Sequence, residues 1–598
     1  MKCPPISKRI IFADDAKLAA QLSCILSEPG SYLPVCDGPR MQRPDHNIEV
    51  TRRHNAAGRT LANVAYMAGL PSDAFDALSQ SLNLRRPLTF HRISRPLDVK
   101  RTTLSEPGRE ILVWGRDRIG IGLLKALRAG QEIRFEDKPS EYEWIAPKGK
   151  HLVVCEEGEE ISEVIAANYA FALDAGLFLI PEIDKNHAED ILEAFYTLHD
   201  SDLGPAEAQK RLTQELLHLC GSIPVTDEGS ITFIGKLPFG FAYPEYPSTH
   251  LFEYPDLGCA VVNGFVAEQH RTPGTGVVIL VDPGTTPAPE IQSVIDLMEP
   301  RRAFIRVYQD RAANVRDVRA MIDHFPFDLL IIATHCGDSS GHRWTYEFTD
   351  SKGLDRTLVV DLAVDFARTD DPDKLRVGHF FRFVSLDGVD WTDREAKSKL
   401  HVGTAIHDFN ELLNEGPSQL KPVKKETISR VVGSSAMMMS DSNLLFAQQT
   451  MADTGTPIIF NNACVSWHRL AGDMTFADAR AYVGTLFPVT SAEAAAVLTS
   501  ALGVHWGKSL PVALWAAQRD VYGVGLRRPY VVTGVFPQHL RVEPLDYPER
   551  LRKRLAGSLS SWRGRLASVD PGDVRQITRI NEIIRIYQRE LDHFSNSR

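Results

Sequence analysis

Cysteine is scarce and unpatterned in this 598-residue chain. Its eight cysteines (Cys3, Cys24, Cys36, Cys155, Cys220, Cys259, Cys336 and Cys464) form no CxxC pair and no His/Cys spacing of a zinc site. A disulfide scaffold or zinc ribbon is excluded, and the thiols read as free, most of them small buried residues. Long apolar runs are also missing. The most apolar stretch, ANYAFALDAGLFLI, carries Asp174 and is too short to span a bilayer, and MKCPPISKRIIFADD has no uninterrupted secretory h-region. Basic charge is not in excess: 67 Lys and Arg against 77 Asp and Glu leave a net charge of −10, so no global field holds nucleic acid or an anionic membrane. No repeat or low-complexity tract is present, which removes solenoids and linker-dominated architectures. GIGLLKALRAG lacks the G-x-G-x-x-G spacing of a dinucleotide site. The expectation is a cytoplasmic protein with no cofactor, no metal, no membrane partner and no indicated nucleic acid.

What remains is the composition of an ordinary globular protein, 43% hydrophobic and 24% charged. At roughly 150 residues per domain the length predicts about three or four domains. Short apolar runs alternate with helical patterns: RIIFADD with AKLAAQLSCIL, REILVWG with IGIGLLKALRAG, and HLVVCEE with ISEVIAANYAFALDAGLFLIPEID, which favours an α/β layer structure. A helical stretch over 188–219 and a Pro-, Tyr- and Gly-rich region follow, and the turn-rich EQHRTPGTG predicts a domain boundary near residue 270. The alternation then restarts: strand VVILVDPG, helix EIQSVIDLM, strand AFIRVYQD, helix VRDVRAMIDHF, strand DLLIIATHCG. This is a doubly wound order, in which catalytic groups collect at the carboxyl ends of strands. An insertion with its own hairpin is expected over about 365–425, and a basic helical extension over 541–598, with one apolar helical face docked on its own domain. The predicted organisation is thus a separate α/β N-terminal domain (1–270), a sensor or docking module, followed by a doubly wound domain (271–540).

Two polar switches at strand ends carry the chemistry. His335 follows DLLIIAT and Cys464 follows PIIFNNA, so a thiol nucleophile and a proton acceptor project from one edge of a parallel sheet. Gly337 and the Cys464 amide can supply backbone donors for an oxyanion. Asp338 either orients the base or solvates the turn.

LLIIATHCG, IIFNNACVSW, the segment LAGDMTFADARAYVGTLFPVTSAEAAAVLTSAL and WGKSLPVALWAAQRDVY with PYVVTGVF resemble, in this order, the CHAT family of caspase-like cysteine peptidases, whose clan also holds caspases, separases and gingipains. The resemblance covers roughly residues 271–540. It implies a caspase-like fold and a cysteine endopeptidase with His335 as base and Cys464 as nucleophile, acting on a partner protein in a regulated, often bacterial defence, setting. The family has Gly directly after the His; here Cys336 intervenes, and His342 is an alternative base. Clan members that cut after Arg or Lys carry Asp at the position of Asn462, so Asn462 implies a neutral or mixed preference for the residue before the scissile bond. Asn462 and Asp338 are the candidate substrate-binding residues. A protein that keeps the fold without the activity, as an interaction scaffold, is the alternative.

Overall fold

A strand that is apolar at every position has to be covered on both faces, and Val277–Asp282 is buried throughout. The computed structural model, in which that requirement is met by one large sheet, describes the chain except residues 43–45, 84–87, 104–108, 142, 254, 270–273, 370, 372, 416–419, 526 and 596–598. At the start, Arg9–Ala13 (β1), Val35–Asp37 (β2), Val64–Ala68 (β3) and Thr89–Ile93 (β4) form a parallel sheet in the order β2-β1-β3-β4. Asp15 caps the first helix, Ala16–Leu26, by accepting from the Leu18 N–H at 2.9 Å. Ile111–Trp114 (β5) and Glu132–Phe135 (β6) make a two-stranded parallel pair.

Next in the chain come His151–Glu156 (β7), Gly176–Ile180 (β8), Ser230–Ile234 (β9), Ser248–Leu251 (β10), Val277–Asp282 (β11), Phe304–Gln309 (β12) and Leu329–Ile332 (β13). An inserted region holds Cys336–Gly337 (β14), Gly341–Thr349 (β15), Asp355–Arg368 (β16), Leu375–Leu386 (β17), Val389–Asp390 (β18), Lys424–Ile428 (β19), Ala436–Met438 (β20) and Asn443–Leu444 (β21). Ile458–Asn461 (β22), Ala481–Thr485 (β23) and Tyr530–Gly534 (β24) follow. The central sheet has ten strands, in the order β12-β11-β13-β22-β23-β24-β10-β9-β7-β8. β12, β11, β13, β22 and β23 run parallel to one another. β24 is antiparallel to β23, and β10, β9, β7 and β8 are parallel to β24. The sheet is therefore two blocks of opposite direction, and their carboxyl ends lie on opposite edges.

This corrects the expected division. The chain does not separate into an independent α/β unit before residue 270, because β7 to β10 complete the same sheet through the β10–β24 pair, where His250 lies opposite Thr533. Residues 270–273, where the boundary was expected, lie outside the described residues. β8 is also new; it comes from GLFLI, which the sequence pattern had merged with the preceding helix.

Side-chain alternation fills both faces. Leu152, Val154, Phe233, Val277, Ile279, Leu330, Ile459 and Tyr482 enter one core, which spans both blocks. On the other face Val153, Cys155, Leu177 and Ile234 pack with the β1–β4 unit, while Val278, Leu280, Leu329, Phe460 and Val483 pack with the helices around Ser491–Leu502 and Leu510–Tyr522. The helices Tyr547–Ala567 and Val574–Ser595 close the first core with Leu551, Leu555 and Tyr587, and the Tyr587 hydroxyl donates to Asp453 at 2.6 Å.

The inserted region is wider than its periodicity suggested. Its antiparallel sheet, β18-β17-β16-β15-β19, opens at Gly341, whereas residue 365 falls inside β16. Phe409 of the helix Val402–Glu415 sits in its core with Tyr346, Leu358 and Val360.

A buried ionic cluster ties the first unit to the body. Arg52 and Arg53, on the helix His46–Arg59, contact the two carboxylate oxygens of Asp256 at 2.6 and 2.8 Å, and Arg53 also pairs with Asp37. Arg59 reaches Asp478, just before β23, at 3.1 Å. Removing one member of such a cluster leaves buried charge uncompensated, so Asp256→Ala should cost about 3–5 kcal/mol, read by denaturant unfolding.

Candidate active site

The carboxyl ends of β13 and β22 are adjacent, since Ile332 lies opposite Asn461. The chain leaves β13 through Ala333 and Thr334 to His335, and leaves β22 through Asn462 and Ala463 to Cys464. His335 and Cys464, from segments far apart in sequence, line one small cavity of about 50 Å³ with Thr286, Glu290, Asn462 and Val489.

Local hydrogen bonds fix both turns. The His335 carbonyl accepts from the Met438 N–H at 2.9 Å, and the Thr334 hydroxyl donates to the Met438 carbonyl, so β20 holds the His turn from the inserted side. The imidazole is exposed and has no hydrogen-bond partner among the described residues. Around Cys464 the chain is tighter. Val465 sits at φ 48°, a conformation that costs a β-branched residue on the order of 1–3 kcal/mol and is held only by its surroundings. Those surroundings are specific: the Ser466 hydroxyl donates to the Asn461 carbonyl at 3.0 Å, Tyr482 donates to the Ser466 carbonyl at 2.6 Å, and Thr485 donates to the Ala463 carbonyl at 2.8 Å. The Cys464 thiol faces the Val489 peptide, with the Val489 N–H 3.4 Å from Sγ. The Cys464 N–H has no acceptor among the described residues and is available as an oxyanion donor.

The other sequence candidates divide. Asn462 is buried in the same cavity wall. Gly337 lies in β14, opposite Ala436 of β20, and does not line the cavity. Asp338 turns away into structure: its carboxylate accepts from Arg430 at 2.9 Å and from the Ser435 N–H at 3.2 Å, and its own N–H donates to the Tyr196 hydroxyl at 2.6 Å. Asp338→Asn should therefore lower stability by about 1–3 kcal/mol in urea unfolding. A change confined to KM for one class of substrate side chain would return Asp338 to the pocket. His342 is in β15, paired with Leu362 and Thr427 and stacked near Trp344, outside the cavity. Burial pushes the Cys336 thiol well up, with Asp338 and Cys464 adding to the effect, so that thiol stays protonated.

Sequence reasoning missed Val489, which ends the segment GTLFPV, and Glu290, which reads as an ordinary acid in the first turn of the helix Pro289–Met298. It also missed a cavity of about 720 Å³ at the opposite edge of the sheet, beyond β9 and β10. There Lys236 lies 2.9 Å from Glu253 and pairs with Glu156, and burial together with Glu156 pushes Glu253 up to about 7. His407, Asp408 and Glu411 bring metal-ligand types within 4.8 Å on the surface of the inserted region. Among the described residues no helix is long and apolar enough to cross a membrane.

No family model and no curated protein matches this sequence. Among solved structures it is similar to Cwp6 from Clostridium difficile, at 10% identity and a TM-score of 0.23, over 58% of this chain and 62% of that one.

Proposed function

We propose that the chain is a caspase-like cysteine endopeptidase of the CHAT type that cleaves a partner protein, with Cys464 as nucleophile and His335 as base. The observation that carries this reading is the shared cavity of His335 and Cys464 at the carboxyl edge of one block of parallel strands. His335 takes the thiol proton, and Sγ bonds to the carbonyl carbon of the scissile peptide bond. The oxygen gathers charge against the Cys464 N–H, and the Val489 N–H supports the thiolate before attack. Collapse breaks the C–N bond as the imidazolium gives its proton to the leaving amine. Water, deprotonated by His335, then hydrolyses the thioester, and the thiol is restored.

The N-terminal half acts as the regulator. Support comes from the helix Lys185–Tyr196, which follows β8 and touches both catalytic turns. Tyr196 accepts from Asp338, Glu193 pairs with Arg430, and the Leu192 carbonyl is 2.8 Å from His468 Nε2, four residues after the nucleophile. A ligand or partner that shifts this helix acts on both turns at once. Labelling by an electrophilic peptide probe, lost in Cys464→Ala, tests the reading. A second reading, a scaffold without activity, draws on the small cavity and on the absence, among the described residues, of a hydrogen bond between His335 and Cys464; it predicts no labelling by the probe.

A further inference from the structure

One buried side-chain oxygen of the cavity lining has no partner among the described residues. Glu290 is 3% exposed, and its Oε2 is buried without a hydrogen bond, a state that costs free energy unless something arrives to use it. Its other oxygen, Oε1, accepts from Asn462 Nδ2 at 2.9 Å. The Tyr530 hydroxyl donates to Asn462 Oδ1 at 2.6 Å, and this fixes which way the amide points. Asn462 is thus a spacer between Tyr530 and Glu290, and the acid behind it supplies the charge that position 462 itself does not.

No Lys, Arg or His among the described residues pairs with Glu290. The charge that acts on it is that of another acid, Asp282. Apart from His335 at the thiol, the cavity wall around Glu290 carries no other ionisable side chain than Cys464 and includes the small residues Thr286, Pro287, Thr490, Ser491 and Ala494. A buried acid with one unpartnered oxygen, lining the same small cavity as a thiol, is suited to a cation carried on a slim stem.

We propose that Glu290 is the specificity residue of the pocket for the side chain before the scissile bond, and that the substrate protein is cut after lysine. The proposal rests on the peptidase reading above. Lysine is chosen over arginine by geometry. A guanidinium binds a carboxylate best through two parallel hydrogen bonds, and Oε1 is already taken by Asn462, whereas an ammonium needs only a point acceptor. The hydroxyls of Thr286 and Ser491, 3.2 Å apart on the same wall, serve its remaining N–H groups. This overrides the neutral preference that Asn462 alone implies. Burial raises the Glu290 pKa, opposed by its own backbone N–H and by the Asn462 hydrogen bond and aided a little by Asp282. Selectivity for lysine therefore strengthens as pH rises through that value and fades in acid, where Glu290 is neutral.

The test uses full-length chain and peptides that differ only in the residue before the scissile bond: lysine, arginine, norleucine or glutamine. The expected result is a kcat/KM ratio of lysine to norleucine of at least about tenfold, rising with pH, that falls to near one in Glu290→Gln. Cleavage without a lysine preference, a preference for arginine, or a lysine preference that survives Glu290→Gln overturns the proposal and leaves the peptidase reading intact. A second arm needs no turnover: Cys464→Ala protein should bind the lysine peptide more tightly than the norleucine peptide by fluorescence anisotropy, and the difference should vanish when Glu290→Gln is added. Equal binding overturns the proposal even if no peptide is cut, while failure of the electrophilic probe to label Cys464 in the unsubstituted chain counts against the peptidase reading alone. Thermal unfolding of Glu290→Gln confirms that the fold is kept.

Discussion

Cys464→Ala should abolish peptide-bond cleavage, and His335→Ala should lower the chemical step by about 10²- to 10⁴-fold, the usual contribution of a positioned acid–base group. The thiol is half-buried in a turn, so removing its sulfur leaves little cavity and the alanine protein should unfold at nearly the same denaturant concentration. The hydrogen bonds that hold the turn run through Ser466, Tyr482 and Thr485 and do not involve the sulfur, so the strained Val465 stays in place. Two controls sharpen the assignment. Cys336→Ala should be far milder, because burial keeps that thiol protonated and a thiol is a weak nucleophile. His342→Ala should also be mild, since His342 belongs to the sheet of the inserted region. Steady-state kinetics on one peptide, with intact-mass detection of the acyl-enzyme, checks all four. Undiminished cleavage by folded Cys464→Ala, or a larger loss from His342→Ala than from His335→Ala, would remove the assignment.

The two turns at the centre of that prediction were legible in the sequence for a simple reason. LLII is apolar at every position and IIFN is apolar up to Asn461, and both runs give way to polar residues, so the strand ends were visible in the sequence. The sheet to which a buried strand belongs leaves no such mark. HLVVCE reads the same whether it starts its own sheet or completes one with β24, and the pairing that decides it, His250 with Thr533, joins residues nearly half the chain apart. Glu290 and Asp338 show the same limit on a smaller scale. Asp338 follows a strand end and Glu290 opens a helix, both places where acids are common, and only packing separates them: Asp338 meets Arg430, Glu290 meets no cation among the described residues. The start of the inserted region was missed because β15 is only half-buried and alternates weakly, from Gly341 to Thr349.

Removal of residues 1–273 should destroy the fold and should not release an active domain. β24 would lose β10 and become an unprotected edge, with the Val532 and Gly534 carbonyls deprived of the Thr249 hydroxyl that reaches them at 3.2 and 2.7 Å. Trp467, fully buried three residues after Cys464, would lose His250 and Phe252, whose ring centroids lie 5.1 and 5.5 Å away. Exposing the aromatic and aliphatic side chains that meet across this seam, Val535 among them, costs about 1.5–3 kcal/mol for each large group. Several such groups exceed the stability that a domain has to spare. The truncated chain should therefore be aggregated or expanded in size-exclusion chromatography and lack near-ultraviolet dichroism, while the full chain is compact. A soluble, compact truncated chain would show instead that the β10–β24 seam is a docking contact between two independent halves. Control of the site by the N-terminal half then has to be sought in the full chain, at the helix Lys185–Tyr196. There Tyr196→Phe removes the hydroxyl that accepts from the Asp338 N–H, three residues past His335, while the ring remains under Arg430.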